Sequence, residues 1–375
     1  MNIPLFKIYW NESDIENIAS IIRSGKYWAI GPKIREFEKR VADYVGVEYA
    51  HATNSGTSAL HALMLAHNIG EGDEVIVPSF TFIATANAPL FVGAKPVFAD
   101  IEEGTYGLDT SDVERKITPR TKAIIPIHYG GSPCQIIKLQ KLAERYNLLL
   151  IEDAAESLGA SVNGQKVGSF GDSAILSFCS PKVITTGEGG MMLTSSKDIY
   201  EKVKLICNQG RAETSNYFST TEQMQYVSLG YNFRMSTITA ALGLSQMDKL
   251  EDIIFHRRFN ANYLSKKLSE IEEIEVPFTL PNYSQPNYFQ VYQMFTIRVR
   301  DSRNELKEYL NKQGIGAKVY FEPVHKSLFY KRLGYHIELP VTEKVCNEVL
   351  TLPMYPELSL EEMDYMADKI KEFFV

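Results

Sequence analysis

Lys182 stands in SFCSPKVITTGEGG, after a short apolar run and just before a glycine-rich turn. A lysine is an ordinary solvated cation unless a desolvated pocket or a neighbouring cationic ring weakens its hold on its proton. The free amine is then a nucleophile able to form a Schiff base with a carbonyl. Asp153 closes the run LLLIED at 148–153. Ligands of open α/β sheets gather beyond the carboxyl ends of the strands, so a carboxylate there could hold a proton on a ring nitrogen and turn that ring into an electron sink. The competing reading is an aspartate that caps its own loop. In NSGTSALHALMLAH, residues Asn54, Ser55, Gly56 and Thr57 immediately precede an apolar-periodic helix. Free amides at a helix start attract an anion, although Ser and Thr in such places are usually simple N-caps. Ser177 stands at a strand end, and Glu156, three residues beyond Asp153, could reach the same ligand from the following turn. Each stretch is weak alone; together and in chain order, they assemble an amine, a proton-holding carboxylate and an anion cup.

Such groups must be delivered by strands and helices. KIREFEKRVADYV places Ile34, Phe37, Val41 and Tyr44 on one helical face, whereas EVIVP (74–78) and AIIPIH (123–128) are apolar runs that suit strands buried on both faces. QIIKLQKLAERY (135–146) has helical spacing and LLLIED is the next strand, so strand, helix and strand alternate as in a mostly parallel sheet. The pattern continues through ILSF (175–178) and GGMMLT (189–194). One long helix is predicted from Ser236 past residue 265, then a proline-rich crossing, PFTLPNYSQPNY (277–288). MFTIRVR, a helix from Ser302 and GAKVYF would form a small β-α-β unit. The expected architecture is α/β, with a large domain at 1–250 that includes the N-terminal segment and a smaller α+β domain at 251–375.

Composition narrows the function classes. A chain of 375 residues with 45% hydrophobic and 23% charged residues has ample core material, and its net charge of −7 without a basic block argues against nucleic acid. Cys134, Cys179, Cys207 and Cys346 are far apart and lack zinc-site spacing, so they read as reduced thiols and no metal is expected. No basic patch leads an apolar run at the N-terminus, and no window suggests a membrane span, so a cytoplasmic enzyme is expected.

The stretches SGKYWAIGPKIREFE (24–38), NSGTSAL, VPSFTFIATANA, IEDAAES, SFCSPKVITTGEGG and GYNFRMS (230–236) resemble the DegT family of nucleotide-sugar aminotransferases, which are fold-type I enzymes dependent on pyridoxal 5′-phosphate (PLP). The resemblance covers nearly the whole chain. It implies that Lys182 forms the Schiff base with the cofactor and that Asp153 partners the pyridine nitrogen. Glu156, where many relatives have Gln or His, would contact the ring hydroxyl. Gly56, Thr57 and Ser58 match phosphate-binding positions, Ser177 adds a hydroxyl to them, and Phe82 matches the aromatic that stacks on the ring. Asn232 is similar to the asparagine that reaches the neighbouring subunit's site, which implies a homodimer with shared sites.

The same resemblance implies ping-pong transfer of an amino group from glutamate to a nucleotide-linked keto-deoxy sugar. TGEGG with EDAAES looks most like members that aminate position 4 of a 6-deoxy-4-keto sugar, as in perosamine formation for polysaccharides such as O-antigen. Glu322 and His325, in KVYFEPVH, are candidates for substrate contacts, although a lone His in a loop is more often structural. Three other readings stay open: a sugar dehydratase, whose relatives carry His where Lys182 stands; a non-catalytic regulatory protein on the same fold; and a PLP enzyme acting on amino acids alone.

Overall fold

The computed structural model describes residues 1–212, 224–277 and 287–375. Helix α1 (Glu12–Ser24) opens with a capping box on Asn11, and α2 (Pro32–Val45) opens with proline in its first turn, where no backbone N–H is needed. The face predicted for α2 is the one that packs: Phe37 and Val41 are fully buried, and Ile34 and Tyr44 rest against the same core. Alternation then begins. Strands β1 (Tyr49–Thr53), β2 (Glu74–Pro78), β3 (Lys95–Ala99), β4 (Thr121–Ile124) and β5 (Leu149–Asp153) are interleaved with helices α3 (Gly56–Ala66), α4 (Ile83–Leu90), α5 (Thr110–Lys116) and α6 (Ile136–Tyr146). After the short hairpin of β6 (Ser161–Val162) and β7 (Gln165–Lys166) come β8 (Ser173–Ser177) and β9 (Gly190–Thr194).

Seven of these strands form one sheet in the order β1-β9-β8-β5-β4-β2-β3. The pairs β2/β3, β2/β4, β4/β5 and β5/β8 are parallel, and only β9 runs against its two neighbours, β1 and β8. Strands β2 and β9 are buried along their whole length, as helices on both faces require. The antiparallel β9 reverses the chain so that its first residue, Gly190, lies opposite Ser177 and Thr53, the last residues of β8 and β1. One edge of the sheet therefore gathers the carboxyl ends of β1, β2, β5 and β8. Ligands of α/β sheets bind at that edge.

Helix α7 (Lys197–Cys207) leads to the ladder of β10 (Arg211–Ala212) and β11 (Gln225–Tyr226), and then to α8 (Thr237–Met247) and α9 (Leu250–Leu268). The single helix expected from Ser236 past 265 is thus two. The break falls where the Lys249 ammonium turns to Asp14 of α1, 2.6 Å away, with both side chains nearly buried. Of the proline-rich crossing, 278–286 lie outside the described residues; β12 (Ile274–Glu275) precedes it and β13 (Tyr288–Phe289) follows, pairing with β6. Next come β14 (Phe295–Val299), α10 (Arg303–Lys312), α11 (Leu328–Arg332), α12 (Pro340–Glu348), β15 (Val349–Leu352) and α13 (Leu360–Phe374).

The β-α-β unit expected around α10 is also corrected. The second sheet is antiparallel, in the order β12-β14-β15, and GAKVYF contributes only an isolated bridge between Lys318 and Thr351. Beyond that bridge the chain leaves the sheet and lines the cavity with Tyr320 and Phe321. A second hydrophobic core forms among α9, α10, α13 and this small sheet. Ile3 is fully buried in it, its N–H bonded to the Gly314 carbonyl at 2.8 Å.

Candidate active site

A cavity of about 390 Å³ opens at the carboxyl edge of the large sheet. Gly56, Thr57, Phe82, Asp153, Glu156, Ser177 and Lys182 all line it. A second cavity, of about 480 Å³ between α2, β1 and α7, is lined by none of the candidate catalytic or binding residues.

The anion cup is built at the start of α3. Ser55 is the N-cap, its Oγ accepting from the Ser58 amide at 3.1 Å. The Gly56 and Thr57 amides, in the first turn, have no intrahelical carbonyl to donate to. Ser58 turns its hydroxyl back to Ser55 (3.0 Å) and does not line the cavity. Two glycines let the walls close: a Cβ on Gly56 would stand 3.3 Å from Ser177 Cβ, and one on Gly190 would fall 2.3 Å from the Ser55 carbonyl carbon. The helix start thus rests directly on the ends of β8 and β9. Ser177 Oγ stays close by, 3.5 Å from the Cys179 amide.

Asp153 ends β5 with only 4% of its surface exposed. Its Oδ2 accepts from the Thr85 hydroxyl at 2.6 Å, and Thr85 in turn shares a hydrogen bond with Thr81 at 2.7 Å. Burial pushes the Asp153 carboxyl above its ordinary range, opposed by the Thr85 and Ala155 hydrogen bonds and by the charge of Lys182. The preceding residue, Glu152, points elsewhere and is fully satisfied. It accepts from the Gly168, Phe170 and Gly171 amides and pairs with the buried His128 at 2.9 Å. Because His128 Nδ1 accepts from the Cys134 amide, Nε2 must be the nitrogen that donates to Glu152.

Lys182 Nζ lies 3.3 Å from Glu156 Oε1, with 14% and 4% of the two side chains exposed. The other Glu156 oxygen accepts from the Gly130 amide at 2.9 Å. Burial raises the Glu156 carboxyl too, with Lys182 pulling the other way. Phe82, although apolar, is 58% exposed. It caps the start of α4 at the cavity, its ring 6.1 Å from that of Phe321.

Besides Ser58, three candidate site residues are not brought to this cavity. Asn232 is exposed and bridges to Asn208. Glu322 is absent from the lining. His325 is 1% exposed and holds the Ser79 hydroxyl at 2.6 Å and Glu343 at 3.2 Å, joining the end of β2 to α12. Conversely, Gln293, Lys318, Tyr320 and the N-terminal residues Leu5 and Phe6 line the cavity without having been picked out. Arg257 was missed as well. Its buried guanidinium donates through Nη1 to the carbonyls of Tyr292, Gln293 and Met354, tying α9 to two segments of the wall. Burial lowers its pKa to about 10.

The chain is similar to known proteins over nearly its whole length. A model of the DegT/DnrJ/EryC1/StrS aminotransferase family matches residues 9–371. GDP-perosamine synthase of Escherichia coli O157:H7 is 35% identical over 374 residues, covering 99% of this chain and 98% of that one. Among solved structures, Helicobacter pylori PseC, an aminotransferase involved in the biosynthesis of pseudoaminic acid, superposes with a TM-score of 0.92 at 27% identity, covering 100% of this chain and 99% of its own. Spr1654 of Streptococcus pneumoniae in its PLP form gives 0.90 at 27% identity, with 99% and 98% covered.

Proposed function

Because the chain belongs to the DegT/DnrJ/EryC1/StrS aminotransferase family, we propose that it moves an amino group from L-glutamate to a nucleotide-linked 4-keto-6-deoxyhexose, with PLP held through Lys182. The observation that carries this reading is the convergence of Lys182, Asp153 and the start of α3 on one cavity.

The lining fits that cofactor in its donor set. A buried carboxylate, uncomfortable in its charged form, awaits a cationic N–H at Asp153. First-turn amides and the Ser177 hydroxyl offer donors to a phosphate, and an exposed aromatic, Phe82, offers a flat face. When bound, PLP supplies an aldehyde carbon for an amine and a pyridinium ring that takes up the electron pair released at the substrate carbon.

The protein does the rest. Lys182 would hold the cofactor through its side-chain amine, which a donor amine could replace. Its freed amine would then serve as the base that takes the proton from the substrate carbon and delivers it to the carbon that had been the cofactor's aldehyde. Glu156, 3.3 Å from Nζ, keeps that amine aimed. Asp153, held by Thr85, keeps the ring nitrogen protonated. Water would release the donor as its keto acid, oxoglutarate, leaving the amino group on the cofactor, and the same groups would act in reverse order on the keto sugar. The reading includes a homodimer in which Asn232 of a second copy reaches the phosphate. Support comes from its exposure and its absence from the lining of its own chain's cavity, and from the exposed Trp10, Trp28 and Leu229.

The test is direct. Protein loaded with PLP is expected to change its visible absorbance on adding glutamate, and a nucleotide-linked 4-keto-6-deoxyhexose, offered on GDP, UDP and dTDP in turn, restores the original spectrum as the amino sugar forms. No change with glutamate would overturn the reading.

A further inference from the structure

Among the residues lining the cavity, Gln293 is a side chain with an unmet need. It is 6% exposed, and its Oε1 is buried without a hydrogen-bond partner. The orientation of the amide is decided by its other end. Nε2 donates to the carbonyl of Pro181 at 3.0 Å, a contact that the oxygen could not make, so Oε1 is the free atom. An orphaned buried acceptor costs free energy, and such an atom in a ligand cavity marks the position of a missing donor. Its placement is rigid. The Gly130 and Gly131 carbonyls accept from the Met294 and Val291 amides at 3.1 and 2.9 Å, while Arg257 holds the Gln293 carbonyl from the other side at 3.2 Å. Gly130 also donates to Glu156, so the frame that fixes Gln293 is the one that fixes the partner of Lys182.

The two substrates differ in what they present to such an atom. Glutamate offers two carboxylates, which a carbonyl oxygen repels, and an ammonium that loses its protons as the imine forms. A hexose offers hydroxyls, the nearest of them on the carbon beside the keto group that must reach the site next to the Pro181–Lys182 turn. We propose that Gln293 Oε1 accepts a hydrogen bond from the sugar hydroxyl adjacent to the reacting carbon, making Gln293 a specificity-determining residue for the sugar half of the reaction. This rests on the function proposed above.

The test compares wild type and Gln293→Met, both loaded with PLP, in the two half-reactions separately. The glutamate half-reaction is expected to keep its rate within about threefold. The value of kcat/KM for a GDP-linked 4-keto-6-deoxyhexose falls by roughly 10- to 100-fold. With the 3-deoxy analogue of that sugar, wild type falls by a similar factor and the variant loses nothing further. Equal slowing of both half-reactions would mean that Gln293 only braces the Lys182 turn, and would overturn the assignment. So would an unchanged sugar half-reaction, or identical discrimination against the deoxy analogue by both proteins. Should Gln293→Met fail to fold, Gln293→Asn, which withdraws the amide by one carbon, carries the same comparison. If wild type converts with glutamate but aminates no keto sugar on any nucleotide, the proposed function falls and Gln293 with it.

Discussion

Asp153 keeps a carboxylate where burial disfavours its charge, and it accepts that cost at the one strand end where a cationic ring would repay it. The pH consequence follows from the sign of the shift. An acid whose folded pKa is raised stabilises the fold below its ordinary range and loses that contribution as pH climbs through the raised value. Cofactor-free protein is therefore expected to lose melting temperature as pH rises from the ordinary carboxylate range toward neutrality, and PLP to suppress the loss. Asp153→Asn removes the penalty: it raises the neutral-pH melting point of the cofactor-free protein while cutting turnover on the order of 10²- to 10⁴-fold. A lower melting point in the variant would contradict this. Lys182, Asp153 and Gly56 were legible in the sequence because each sits at a boundary between an apolar run and a turn. Thr85 and Gln293 were not. Their hydrogen-bond partners lie 68 and 112 residues away in the chain, so nothing local distinguishes them from an ordinary helix Thr or loop Gln.

Elements of the large sheet could be read closely because both its faces are covered, which leaves uninterrupted apolar runs: β2 is EVIVP residue for residue, and β5 and α6 fall within one residue of their expected bounds. Two elements were misread for the same physical reason, a tertiary contact overriding a local pattern. DKLEDII contains no glycine or proline to announce the gap between α8 and α9, and the reason for it is Asp14, more than 200 residues earlier. GAKVYF was expected to be the second strand of a β-α-β unit, yet only Lys318 finds a partner, Thr351 of β15. Lys249→Met should cost about 3–5 kcal/mol in urea unfolding, since it strands a buried Asp14 charge, and Asp14→Leu added to it should recover much of that loss. At the anion cup, Gly190→Ala forces a methyl into the Ser55 backbone. It should cost about 1–3 kcal/mol and weaken binding of PLP far more than that of phosphate-free pyridoxal; equal weakening of both would separate Gly190 from the cup.

At the scale of the whole molecule, the cavity of one chain is lined by α3, β5, β8 and the 291–294 segment, while Asn232 stands outside it. If Asn232 serves a second copy, mixing Lys182→Ala protein with Asn232→Ala protein after subunit exchange restores activity, because each mixed dimer holds one intact site. The yield should be roughly a quarter of wild-type turnover, half the dimers being mixed and each having one working site of two. No recovery would place Asn232 in its own chain's chemistry or in none. The proposed function requires a covalent attachment of PLP at Lys182, in the loop that follows β8. Borohydride reduction of the PLP-loaded protein, followed by proteolysis and mass spectrometry, locates that attachment directly. The pyridoxyl mass is expected on the peptide containing Lys182 and nowhere else; a label on another lysine, or no label on protein that has taken up PLP, would contradict the account.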